Sequence, residues 1–150
     1  MTAVKNHPLG LELKKTIKAP LEVVYKAWIE PEQMQKWFGC DQCRGLKIAQ
    51  DFRVGGQYRV DMHLANDTIM TVFGEYKEII PNKKIVYSWS NNFPEIPADN
   101  TEVTVEFSFN GESTEITLKH VNFQFEESAT SHTSGWSFAL DKLSKVFASA

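Results

Sequence analysis

The sequence predicts an α+β fold: a curved antiparallel sheet of about seven strands wrapped around one long C-terminal helix, with two short helices after the first strand. Three observations carry this reading. Between Gly45 and Val121 apolar residues recur with period two, and short turns separate the runs. After Gly135 the period becomes helical: Trp136, Leu140, Leu143 and Phe147 form one apolar stripe, with Ser137, Asp141, Ser144 and Lys145 opposite. Near the start, two proline-led segments also carry helical spacing. Strands joined by short turns must be antiparallel. Their alternation leaves one face wet and one to be covered, so the long helix is expected across the concave face, with space beneath it.

Taken in order, residues 1–10 read as a flexible N-terminal arm. Leu11, Leu13 and Ile17 give a first strand through Lys18, although the alternation slips in its middle. Pro20 then opens a helix with Leu21, Val24, Tyr25 and Trp28 on one face. Pro31 restarts a shorter one, in which Met34, Trp37 and Phe38 share a face and Gly39 is the stop. The strands that follow are Leu46 to Gln50, Gln57 to Met62 after Gly55-Gly56, and a long one from Thr68 to Ile80. A bulge in that long strand would reverse its face. Ile85, Tyr87 and Trp89 alternate next, before a Pro- and Asn-rich loop from Asn91 to Asn100. Val103 to Phe109 and the return strand Glu115 to His120 enclose Asn110-Gly111, a strong hairpin signal. Glu126-Glu127, read as preceding the helix, places favourable charge near its positive end.

With 150 residues, neither an internal repeat nor a linker, the chain reads as one domain large enough to bury a core unaided. Sixteen basic residues against nineteen acidic give −3, without a basic stripe, which argues against nucleic-acid binding. There is no apolar run of about 20 residues to cross a bilayer and no signal-peptide core, so the expected location is cytoplasmic. Cys40 and Cys43 form a C-x-x-C pair without a second Cys or His pair at zinc spacing. They follow a helix rather than preceding one, so two ordinary thiols are expected, with a facultative disulfide as the alternative.

His7, His63, His120 and His132 show no metal-binding spacing, and neither nucleophile-elbow nor phosphate-loop motifs occur. Neither a catalytic set nor a cofactor or metal site is therefore expected. His120 shares a strand face with Ile116 and Leu118, and there it is a structural hydrogen-bonder, a ligand's polar anchor or a proton acceptor. Gly135 in a helix costs about 1 kcal/mol relative to alanine, so it serves either a close approach or room for a ligand. Alternation assigns Tyr58, Met62, Met70, Tyr76, Tyr87 and Trp89 to the inner face. With Trp37, His120, Trp136 and Leu140 they are the candidate lining of a cavity, or simply a core.

The ordered elements also resemble a known family. They are Ile17-Lys-Ala-Pro-Leu-Glu-Val-Val-Tyr-Lys-Ala-Trp28, Gly55-Gly-Gln-Tyr58, Gly74-Glu-Tyr-Lys-Glu-Ile79 and Pro81 through Trp89. Leu118-Lys-His120 and Gly135-Trp136 with Leu140-Asp141 and Leu143 complete them. Together they resemble the helix-grip fold of the START-like (SRPBCC, Bet v 1-like) superfamily, and within it the family named for the activator of the heat-shock-protein-90 ATPase, in single-domain form. The resemblance implies a pocket for a small hydrophobic or amphipathic molecule between sheet and helix. It leaves two alternatives: a protein-interaction module regulating the chaperone, or a cyclase- or hydrolase-like enzyme using the same pocket. The eukaryotic namesake carries a further N-terminal domain that this sequence has no room for.

Overall fold

A computed structural model describes residues 3–7, 9–39, 43–93 and 97–148. The chain runs β1 (Ala3–His7), β2 (Gly10–Ile17), α1 (Leu21–Ile29), α2 (Pro31–Met34), β3 (Cys43–Gln50), β4 (Gln57–Leu64) and β5 (Ile69–Ile80). It continues with β6 (Lys84–Asn91), β7 (Thr101–Phe109), β8 (Thr114–Val121) and α3 (Glu126–Ala148). All neighbouring strands are antiparallel, in the order β1-β2-β8-β7-β6-β5-β4-β3, and the sheet curls around α3. The helix-grip architecture is therefore present.

Seven of these strands are those read from periodicity. The additional one is β1, which pairs with β2 from Ala3↔Lys14 to His7↔Gly10, so the segment expected to be a loose arm is in register as an edge strand. Two boundaries also differ. Helix α3 begins at Glu126, so Glu126 and Glu127 form its first turn instead of preceding it. Strand β3 begins three residues earlier than expected, at Cys43; its C-x-x-C partner Cys40 lies outside the described residues.

The slip of alternation in β2 has a specific cause. Leu11, Leu13 and Ile17 are fully buried, and Lys15 takes the remaining inner-face position. Its Nζ lies 2.6 Å from Asp141 Oδ1 on α3, so an ion pair joins helix and strand where an apolar residue would have continued the pattern. Beside it Leu140 and Leu143 are fully buried, and each such side chain contributes about 2 kcal/mol.

The anticipated irregularity of β5 lies between Tyr76 and Glu78. Before it Met70, Val72 and Gly74 oppose the inner-face Met62, Val60 and Tyr58. After it Ile79 opposes Ile85. The extra residue lets both even-numbered Tyr76 and odd-numbered Ile79 face the core. It falls beyond the candidate positions Met70 and Tyr76, so their assigned face holds.

Candidate functional site

Two histidines cross-link the sheet to α3. On β8, fully buried His120 brings Nδ1 to 3.1 Å from Trp136 Nε1 on α3 and Nε2 to 2.8 Å from Thr101 Oγ1 on β7. An indole nitrogen can only donate, so Nδ1 is the acceptor and the proton sits on Nε2. The Thr101 hydroxyl accepts it and donates in turn to the Trp89 carbonyl at 2.6 Å. His132, on α3, has the opposite tautomer. Its Nδ1–H donates to the Ser128 carbonyl at 2.8 Å, while Nε2 accepts the Trp89 indole N–H at 3.3 Å, with Asn91 Nδ2 at 3.4 Å.

Both rings are held neutral. Burial pushes the His120 imidazole well below its ordinary value, and nearby His132 pushes it further. Burial also lowers His132, against the opposing effect of its bond to the Ser128 carbonyl. In the unfolded chain both titrate at about 6.5. The stability they support is thus fully present above that pH and is lost as the pH falls toward the depressed folded values, because the unfolded chain takes up protons first. The slope approaches about 1.4 kcal/mol per pH unit for each histidine. Urea titrations between about pH 7.5 and pH 5 are expected to show this loss, with His132→Gln roughly halving the slope. A flat profile would contradict the assignment.

Beyond His132 lies a cavity of about 150 Å³ between α3 and the ends of β4, β5 and β6. Its sheet side is Met62, Met70 and Trp89, and its helix side is Ser131, His132, Gly135, Trp136 and Ala139. Phe38, Gly39 and Phe93 complete it, and no charged side chain is among its described lining. Phe93 is placed there by Asn91, whose Oδ1 accepts the backbone N–H groups of Phe93 and Ala98, both at 3.1 Å. Gly135 leaves open space: nothing among the described residues lies within 4 Å of where its Cβ would be.

A smaller chamber of about 30 Å³ lies on the other side of Phe38 and Trp89, which line both. Its wall includes Tyr58, Tyr76 and Tyr87. Tyr58 Oη donates to the Ser88 carbonyl at 2.6 Å, and Tyr76 Oη to Gln50 Oε1 at 3.1 Å. Gln50 Nε2 in turn donates to the Ile29 carbonyl. Burial raises all three phenols, and their mutual proximity adds to this for Tyr58 and Tyr87, so they are neutral.

The ten candidate positions therefore separate. Met62, Met70, Trp89 and Trp136 line the larger cavity, while Tyr58, Tyr76 and Tyr87, again with Trp89, line the smaller. Three line neither. Trp37 is fully buried against Trp28, with Nε1 donating to the Ala27 carbonyl at 2.8 Å. Leu140 belongs to the packed core. His120 lines neither cavity, and Thr101 and Trp136 engage both its nitrogens. The polar residues at the wall are Ser131 and His132, and Phe38 is the unforeseen partition.

The family described as "Activator of Hsp90 ATPase homolog 1-like protein" matches residues 18–148. The chain belongs to this family. Solved structures agree on the fold of this Activator of Hsp90 ATPase homolog 1-like chain. Protein CV1439 from Chromobacterium violaceum is 22% identical, with a TM-score of 0.84 over 94% of this chain and 98% of its own. A Rhodobacter sphaeroides protein is 15% identical, with a TM-score of 0.84 over 99% of both chains. CalU16 from Micromonospora echinospora is 20% identical, with a TM-score of 0.72 over 99% of this chain and 83% of its own. No curated protein matches the chain. Among the described residues no helix is long and apolar enough to cross a membrane, and no group of three or more His, Cys, Asp or Glu side chains could hold a metal ion.

Proposed function

We propose that this chain binds a small, uncharged, largely apolar molecule between α3 and the ends of β4 to β6. The observation that carries the reading is Gly135. It stands in the interior of a 23-residue helix, where glycine costs about 1 kcal/mol relative to alanine. Neither of the usual structural reasons for a helical glycine applies: its φ is not positive, and among the described residues nothing lies within 4 Å of where a Cβ would stand. It borders an apolar cavity of about 150 Å³. An apolar space of that size accommodates a ring such as benzene. The described lining supports an uncharged guest, since among the described residues it offers no counter-charge to a carboxylate or phosphate.

The chaperone-regulator reading rests on the family description, whereas the cavity is a feature of this chain's own residues. Titrating toluene while following tryptophan emission tests the reading, because Trp89 and Trp136 face the space. Gly135→Ala is expected to raise Tm by about 2–4 °C and weaken toluene binding several-fold. Gly135→Leu is expected to abolish binding in a folded protein. Unchanged toluene affinity in Gly135→Leu would sink the idea.

A further inference from the structure

Phe38 and Trp89 stand between two chambers and border both. They are held very differently. The Trp89 indole N–H is bonded to His132, and its ring is enclosed by Trp136 at 5.1 Å, His120 at 5.2 Å and His132 at 5.9 Å. Phe38 has no polar atom to tether it. It follows α2, its N–H bonded to the Met34 carbonyl, and precedes Gly39 at φ +109°. Its ring meets Trp37, Trp89 and Trp136 at centroid separations of 5.6 to 6.2 Å, contacts that a rotamer change can exchange for contacts with a guest.

Resting on the ligand-binding reading, we propose that Phe38 is the specificity-determining partition of a two-chamber site, and that the guest is an uncharged alkyl-aromatic molecule. Its ring occupies the space beside Gly135, and its tail passes Phe38 toward Tyr58, Tyr76 and Tyr87. The far chamber suits an uncharged tail. No charged side chain is among its described lining, and burial keeps the phenols neutral. With the ring of Phe38 in place the far chamber holds only about 30 Å³, so the partition sets the longest tail admitted.

An alkylbenzene series from toluene to hexylbenzene tests this by tryptophan emission. In the wild type each methylene should improve affinity about fourfold until the partition is met, after which affinity stops rising. Phe38→Ala should move that break outward by two or more methylenes, with toluene binding weakened but still measurable. Phe38→Leu should move it less, and serves if the alanine variant does not fold. Adding Val60→Phe, which fills the far chamber, to either Phe38 variant should return the break toward its wild-type position. A break unmoved in Phe38→Ala or Phe38→Leu, with toluene still bound, overturns the partition but not the binding site. A break that moves but does not return with Val60→Phe overturns the two-chamber site. Failure of the wild type to bind any member overturns the ligand-binding reading and this inference together.

Discussion

Replacing His120 with alanine is expected to lower folding stability by about 3–5 kcal/mol, read as a shift of the urea midpoint at neutral pH. The side chain is fully buried, so its loss leaves a cavity in close-packed surroundings. It also orphans the indole N–H of Trp136, a side chain only 3% exposed. Thr101 loses its donor but keeps its own bond to the Trp89 carbonyl, which limits the damage on that side. His120→Phe fills the volume without restoring an acceptor, so an intermediate loss of about 1–3 kcal/mol is expected. The ordering Ala below Phe below wild type is the signature of a structural histidine. An anchor for a guest would behave differently, losing ligand affinity at nearly unchanged stability, and that outcome would refute the structural assignment.

The same histidine shows where sequence reasoning reaches its limit. That His120 faces inward follows from its place beside Ile116 and Leu118. What its nitrogens do depends on Thr101 and Trp136, on a neighbouring strand and on the helix, and no local pattern encodes those distances. The inner face of the sheet was readable because one-sided burial imposes period two on β4, β7 and β8. Strand β1 was not, since Lys5, Asn6 and His7 supply no apolar period for an edge strand held by backbone pairing. His132 was within reach. It lies four residues before Trp136, so extending the apolar stripe back by one turn places it over the sheet. The division of the aromatic positions into two chambers depends on the Phe38 ring, whose direction only the packed tertiary structure defines.

Gly74→Ala is expected to cost about 3 kcal/mol or more and to lower Tm by roughly 6–12 °C. A Cβ at Gly74 would sit 2.7 Å from the Ser88 carbonyl carbon and closer still to its oxygen. That oxygen cannot readily retreat, because it accepts the Tyr58 hydroxyl at 2.6 Å, and Ser88 Oγ holds the N–H of Glu75 at 2.9 Å. The β5–β6 ladder has no paired residues between Phe73↔Ser90 and Tyr76↔Tyr87, so backbone and side-chain bonds replace regular pairing there, and a methyl group would break several at once. Tyr58 lies opposite Gly74 in register, its hydroxyl reaching across to β6, an arrangement in which an aromatic ring covers a strand glycine. The same substitution at Gly135 is expected to raise Tm. Glycine to alanine therefore carries opposite signs at two positions of one chain. At Gly74 the missing side chain is required by a neighbouring strand, whereas at Gly135 stability is given up for space that nothing among the described residues fills. If both substitutions lowered Tm by similar amounts, the open volume beside Gly135 would be a packing requirement and not a place for a guest.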